Sequence, residues 1–356
     1  MQTFRQSSEF EFGDVLGVGT VGTIYRATEK ATRQQVAVKK LHPAVCQDQL
    51  IRARFRREMS ILERLSHPHI VSYYGGGEDA GTLFYVMELV DGGTVKGLQQ
   101  VKGAFDWAIV AEVTRQICSA LQYAHNHGVI HRDLKPSNLF LTKTGEVKLG
   151  DFGIARDLDR SDLTASGMTV GTHAYMAPEQ ITGAQAVSGK ADLYSLGCCM
   201  FEMLVGRTPF QGNNFAQLFE QHLHSDAPRV RDFVGSCPPE LDAIVGRLLE
   251  KDPEERPFNA RQVQALMLQL VANVDTNGSN VGKQPTEDAR AEDARAEDVG
   301  TQDVGAEDVV ARGKDLLQQE IRQAAASTSF EVSWGRLVAL VALVLAMIAF
   351  ASVLGR

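Results

Sequence analysis

Cysteine is scarce in these 356 residues, and the five present (Cys46, Cys118, Cys198, Cys199 and Cys237) form no C-x-x-C motif and are odd in number. A disulfide framework is therefore not expected, and reduced thiols are. A cationic surplus is missing as well. Lys and Arg total 36 against 44 Asp and Glu, a formal net charge of −8. That balance excludes nucleic acid as the main partner, because duplex binding needs excess cations to neutralise phosphates. The nine histidines show neither H-E-x-x-H nor Cys/His ligand spacing, so no structural metal is expected. The opening residues, MQTFRQSSEFEF, lack an apolar run, so no secretory signal is expected. Gln2 stands where N-myristoylation would need glycine. What is present is an ordinary apolar fraction, 44%, enough for a sizeable core.

Three regions differ in texture. Residues 10–270 alternate strand-like and helix-like stretches. Short β-prone runs occupy 10–16, 23–27, 35–41 and 83–89. Between the third and fourth, Phe55, Met59, Leu62 and Leu65 recur at helical spacing, with Arg52, Arg54, Arg56 and Arg57 on the other side. These arginines read as the solvated face of a helix, with a phosphate-binding patch as the alternative. After Asp91 helices take over. Val110, Val113, Ile117, Leu121 and Ala124 mark one face of a helix that stops at His127-Gly128. Residues 192–205 are apolar nearly all round, which predicts a buried helix ended by Gly206. The order predicts a small β-rich lobe followed by a larger helical one, 10–90 and 91–270.

Residues 271–330 are polar and repetitive. Five-residue units, EDARA, EDARA, EDVGT, QDVGA and EDVVA, run in register from 287 to 311. A period of five fits neither the 3.6-residue helix nor the heptad. The region reads as an acidic juxtamembrane linker, solvated and mostly disordered. Residues 337–354 then carry no charge. At ~1.5 Å per residue such a run covers about 27 Å as a helix, near the lower limit for crossing a bilayer. Trp334 and Arg336 stand at its start as interfacial anchors would. A single-pass transmembrane helix is expected, with the bulk of the chain in the cytoplasm. Ala339, Ala342, Ala346 and Ala349 place small residues on one face, which permits a homodimer through close helix approach.

Chemistry concentrates in the first region. Gly17-Val18-Gly19-Thr20-Val21-Gly22 lies between two predicted strands, where glycines let the backbone lie close over phosphates. Alone, this pattern is equally a plain glycine hairpin. It is not the dinucleotide version, which opens a helix. Val36-Ala37-Val38-Lys39 follows on a strand, and Glu58 on the next helix is a carboxylate that could hold the Lys39 ammonium. Residues 131–138, HRDLKPSN, pack acid, base-positioning and metal-binding residue types into one loop. Asp151-Phe152-Gly153 and Ala177-Pro178-Glu179 come later in the same order.

Together these motifs resemble the eukaryotic-type protein kinase family, most closely its bacterial membrane-anchored Ser/Thr members, over about residues 10–270. The resemblance implies an α+β, bilobal protein-kinase fold and an ATP:protein phosphotransferase acting on serine or threonine. ATP and Mg2+, with Mn2+ as an alternative ion, would be the cofactors, and proteins the substrates. Gly17, Val18, Gly19 and Gly22 would cover the phosphates. Lys39 would bind the α- and β-phosphates and pair with Glu58. Ile24, Ala37 and Phe140 would sandwich the adenine, with Met87 behind it and Glu88 to Val90 as hinge. Asp133 would accept the substrate hydroxyl proton, Lys135 would neutralise the γ-phosphate, and Asn138 and Asp151 would hold two Mg2+ ions. Glu179 and Arg256 would form a buried ion pair bracing the larger lobe.

Departures from the family pattern are small. Ile24 replaces the usual valine, Phe140 the usual leucine, and Val21 the loop-tip aromatic. A membrane-anchored pseudokinase, an ATP-binding scaffold, is the second reading. It predicts loss of Lys39, Asp133 or Asp151, and all three are present. Tyrosine specificity is disfavoured by Lys135 and by Thr172 after Gly171. Arg132, before the catalytic aspartate, implies pairing with a phosphate on the loop between Asp151 and Glu179. Autophosphorylation of Thr164, Ser166 or Thr169 is expected there.

Overall fold

Alternation along one strand organises the small lobe. Side chains of a strand point to opposite faces in turn, so Val36 and Val38 face one way and Ala37, Lys39 and Leu41 the other. The computed structural model describes residues 4–19, 22–47, 49–152, 173–183, 187–278 and 305–330. The side chains of Leu50, Ile51, Arg54, Arg57 and Glu58, and of residues 271–278, 305–310 and 327–330, lie outside that description. Five strands form one antiparallel sheet: β1 (Phe10–Val18), β2 (Gly22–Glu29), β3 (Gln35–Leu41), β4 (Tyr73–Asp79) and β5 (Thr82–Glu88), in the order β1-β2-β3-β5-β4. On one face Val36 and Val38 pack with Phe10, Ala27, Phe84 and Val86. On the other, Leu41 packs with Leu83, Tyr85 and the helices α1 (Pro43–Cys46) and α2 (Gln49–Leu62) through Cys46, Phe55 and Met59.

The predicted face of α2 is therefore the buried one. Of its arginines, Arg52 and Arg56 form ion pairs with Glu78 at the end of β4, the solvated-face reading rather than a phosphate patch. Strand β4 was not predicted. Its sequence, YYGGGED, has poor strand propensity, and its glycines are there for close approach. A Cβ at Gly76 would lie 2.6 Å from the Met59 sulfur, and one at Gly77 would strike the Arg5 carbonyl oxygen.

The large lobe comprises α3 (Val95–Lys102), α4 (Trp107–Asn126), the hairpin β6 (Leu139–Leu141) and β7 (Val147–Leu149), then α5 (Pro178–Thr182), α6 (Gly189–Val205), α7 (Phe215–His224), α8 (Pro239–Leu248) and α9 (Ala260–Gly278). The five residues predicted for the buried face of α4 are all essentially inaccessible. Asp106 caps the helix by accepting from Ala108 N at 2.9 Å, and Gly128 takes a left-handed φ of 71° just beyond its end. Every residue from Ala191 to Leu204 of α6 is buried, and Gly206 ends it at φ 86°. This bilobal arrangement is the one expected.

Two boundaries differ. Helix α9 continues to Gly278, beyond 270. A further helix, α10 (Gly305–Phe330), occupies much of the expected disordered linker. Leu317 and Ile321 on it are 0% and 5% exposed. The reason is a change of period. Past the five-residue repeat, Gly313, Leu317, Ile321 and Ala324 recur at helical spacing among strong helix formers. A groove on the large lobe buries that stripe. The expected transmembrane segment, 337–354, lies outside the described residues, and among the described residues no helix is long and apolar enough to cross a membrane.

Candidate active site

A hollow between the lobes and another walled by the large lobe adjoin the site. The first, about 270 Å³, is lined by Leu16, Ile24, Ala37, Val71, Met87, Glu88, Leu89, Val90 and Phe140 among others. All six residues expected around a purine (Ile24, Ala37, Met87, Glu88, Val90 and Phe140) are in its wall. Ala37 faces it because it alternates with the core residues Val36 and Val38. Phe140 reaches it from the other side, in the middle of β6. Glu88 is held by Lys148 at 3.0 Å and accepts from Ser72 N at 3.1 Å.

The glycine turn closes one end. Gly17 pairs with Ile24 across β1 and β2, and Gly19 N donates to Gly22 O at 2.9 Å. Gly22 lies against Lys40 and Leu41, where any Cβ would collide with the Lys40 carbonyl oxygen. Val18 is 74% exposed at the rim. Thr20 and Val21 lie outside the described residues.

Beyond the hollow the charged groups converge. Lys39 Nζ stands 3.0 Å from Asp151 Oδ1. Lys135 Nζ donates to Asp133 Oδ2 at 2.9 Å, and Asn138 Nδ2 donates to the Asp133 carbonyl oxygen at 2.8 Å. Gly150 N donates to Asn138 O at 3.1 Å, joining the residues at the open end of the β6–β7 hairpin. Burial works to raise the pKa of Asp151, but Lys39, with His131 and Lys135 behind it, outweighs burial and holds the carboxyl below its ordinary value. Glu58 lies on α2, but its side chain is outside the described residues, as are the loop hydroxyls of Thr164, Ser166 and Thr169. An amide and a carboxylate sharing one hairpin, next to two ammonium groups, form a donor set of the kind that holds a hard divalent ion with phosphate oxygens. The residues present fit that use.

Sequence reasoning named these groups but missed what holds them. Asp192, fully buried on α6, accepts from His131 N and Arg132 N at 2.8 Å each and contacts His125 Nε2 at 2.7 Å. It clamps a backbone that is strained at Arg132, where φ is +64°. Gln180 Nε2 donates to Arg132 O at 3.1 Å. His131 packs on Phe152 and reaches Gly150 O at 3.0 Å, so the catalytic loop and Asp151 are tied together. A signal existed: a carboxylate inside a helix that is apolar all round needs a partner. The expected pair of Glu179 and Arg256 forms with two contacts, 2.7 and 2.9 Å, both side chains buried.

The second hollow, about 530 Å³, lies beside Lys135 and is lined by Lys96, Ser137, Tyr175, Glu202, Arg207 and Phe210 among others. Glu202 is engaged within it by Lys96 Nζ at 2.6 Å and by the Tyr175 hydroxyl at 2.5 Å. No sequence pattern pointed to this cleft.

The family model described as the protein kinase domain matches residues 10–267. Over 266 residues, 73% of this chain and 39% of the relative, the chain is 38% identical to a probable serine/threonine-protein kinase of Streptomyces coelicolor. It is 36% identical over 269 residues to the serine/threonine-protein kinase PknB of Mycobacterium leprae, covering 74% of this chain and 43% of that protein. It is 36% identical over 260 residues to the serine/threonine-protein kinase PknD of Mycobacterium tuberculosis, covering 73% and 39%. The chain thus spans about two fifths of the length of these curated relatives.

Proposed function

This chain belongs to the protein kinase family, and we propose that it is an active serine/threonine protein kinase that transfers the γ-phosphoryl group of ATP to protein hydroxyls. The observation that carries the reading is the convergence of Lys39, Asp133, Lys135, Asn138 and Asp151 beyond an apolar hollow of purine size. The apolar walls at Ile24, Ala37, Met87 and Phe140 would take the adenine, with Glu88 to Val90 alongside it. The turn from Gly17 to Gly22 would lie over the phosphates. Lys39 would orient the α- and β-phosphates. Asp133 would accept the proton of the attacking hydroxyl, steered by the Asn138 hydrogen bond to its own carbonyl. Lys135 would sit on the transferring group as its charge spreads. Asn138 and Asp151 would hold the two Mg2+ ions, which would supply charge neutralisation at the phosphates. The cleft at Lys96, Glu202 and Arg207 adjoins Lys135, where an acceptor chain must approach.

The relatives are serine/threonine kinases by name, and the pseudokinase alternative required a lost Lys39, Asp133 or Asp151. Residues 337–354 support a single-pass membrane anchor, the use of ATP would place the catalytic lobes on the cytoplasmic side, and the alanine spacing within 337–354 supports a homodimer. Arg132 supports control by phosphate on Thr164, Ser166 or Thr169. Replacing all three by alanine should lower activity, and full activity would remove that mode of control. The central test is label transfer from γ-labelled ATP with Mg2+ by the full chain, beside Lys39→Met and Asp133→Asn. Label on serine or threonine of an acceptor protein, absent from both variants, is the expected result. A parent chain that binds ATP and transfers nothing would overturn the reading.

A further inference from the structure

Helix α10 lies along the large lobe, against α3, α4, α9 and the β6–β7 turn. Its packed stripe is specific. Gly313 is pressed so closely on α4 that a Cβ there would lie 2.9 Å from both the Ala108 carbonyl oxygen and the Glu112 Cβ. One and two turns on, Leu317 and Ile321 are buried. Polar contacts flank the stripe. Lys102 of α3 reaches Glu320 at 2.8 Å and Gln323 at 2.7 Å. Lys314 stands 3.5 Å from Glu146, and Gln318 Nε2 donates to Lys143 O at 3.5 Å.

The last two contacts fall on the β6–β7 turn. Gly145, at φ 77°, lies under α10, where a Cβ would come within 3.0 Å of the Lys314 carbonyl oxygen. From below, the same turn is held by Gln116 of α4. Its amide donates to Glu112 at 2.7 Å and to Gly145 O at 3.4 Å, and its oxygen accepts from Val147 N at 2.7 Å. The turn is therefore gripped between two helices. The hairpin beyond it has only three residue pairs, Leu139 with Leu149, Phe140 with Lys148 and Leu141 with Val147. At ~3.3 Å per residue, about 10 Å of paired strand separates the gripped turn from Asn138 and Asp151 at the open end.

We propose that this face is a docking surface whose ligand is the chain's own helix α10, and that its occupancy is linked through the β6–β7 hairpin to binding of the nucleotide and its divalent ion. The linkage rests on the reading of Asn138 and Asp151 as the ion-holding pair; the docking surface does not. A hairpin fixed at its turn presents the amide and the carboxylate in one arrangement. A hairpin released there must be ordered by the ligand, which weakens binding. The coupling is reciprocal by thermodynamic necessity, so bound nucleotide and Mg2+ must tighten α10 by the same factor.

The test uses the full chain in detergent, with Gly313→Leu and Leu317→Asp, which alter only α10. Hydrogen exchange over 311–326 reports docking, calorimetry reports affinity for a non-hydrolysable ATP analogue with Mg2+, and steady-state rates report KM for ATP and for acceptor protein. Both variants are expected to speed exchange and to weaken analogue and Mg2+ binding at least about fivefold, leaving the acceptor KM unchanged. The analogue with Mg2+ should slow exchange of 311–326 in the parent. Lys102→Glu should act like the α10 variants, and Lys102→Glu with Glu320→Lys should restore both readouts, which general damage to the fold would not do. Released α10 with unchanged analogue and Mg2+ binding would overturn the linkage. Protection that depends on protein concentration would overturn docking within one chain in favour of a second copy. A parent that protects 311–326 but binds no nucleotide would overturn the kinase reading and the linkage while sustaining the docking surface.

Discussion

Asp151 stands in an electrostatic conflict. Burial disfavours its charge and Lys39, at 3.0 Å, favours it, with Lys39 prevailing. A carboxyl whose folded value is depressed adds stability that is present above its unfolded value, ~3.9, and is lost as pH falls through the folded one. In Lys39→Met burial loses its main opponent, with only His131 and Lys135 left against it. That variant should lose stability at a higher pH than the parent during acid titration of the unfolding midpoint, with nucleotide absent. The pair of Glu179 and Arg256 gives a second expectation. Arg256 also donates to the carbonyl oxygens of Lys190, Glu250 and Lys251 at 2.8–3.0 Å. Arg256→Met would strand a buried carboxylate and should cost about 3–5 kcal/mol in urea unfolding. At this scale the sequence was informative where a motif names the residue type, as at Asp133, Asn138 and Glu179. It was uninformative where one residue serves several backbone groups. Asp192 stood in plain view, yet its contacts span some 60 residues of chain and leave no local pattern.

Among elements, periodicity carried the reading. The faces of α2 and α4 and the buried α6 were legible because their apolar spacing is long and unbroken. Strand β4 was illegible because it is built from glycines selected for what they touch. The packing of α6 on α8 offers a measurable contrast between two glycines. A Cβ on Gly206 would meet only Ala104, at an ordinary 3.9 Å, so Gly206→Ala faces only the left-handed φ and should cost about 1 kcal/mol. A Cβ on Gly197 would lie 2.8 Å from the Leu248 Cβ and 3.1 Å from Leu249. Gly197→Ala should cost about 1–3 kcal/mol through overpacking. Equal losses in denaturant titrations of the two variants would contradict this account. Helix α10 escaped notice because a conspicuous repeat of period five led into it and drew the whole segment into one description.

For the molecule as a whole, pH dependence should be dominated by histidines that fold neutral. His222 is fully buried beside Tyr194 and below Lys251, whose ammonium donates to its carbonyl oxygen at 2.9 Å. Burial first, and Lys251 second, lower its value to about 3. The unfolded chain takes up a proton there near pH 6.5 and the folded chain does not, so stability should fall as pH drops from about 6.5 toward 3. His222→Gln should flatten that slope. An unchanged slope would move the effect to His131, which burial also lowers. Bilobal order was legible in the sequence because strands and helices segregate along the chain. The second cleft was not, since Lys96, Tyr175 and the pair Glu202 and Arg207 come from three separate stretches.

The attachment of α10 bears on how the gene can vary. Residues 279–304 begin at the end of α9 and finish at the start of α10, and both helices pack on one lobe. Tandem units such as EDARA are prone to gain or lose copies when DNA is replicated. Here a change in the number of EDARA copies, at 287–296, alters only the length of a segment closed at both ends. Doubling that length would cost only about 0.6 kcal/mol in closure entropy. Lineages carrying different numbers of repeats should therefore keep the same catalytic behaviour, while a single-residue deletion inside α10, between Gly313 and Ile321, would shift the stripe by about 100° and detach it.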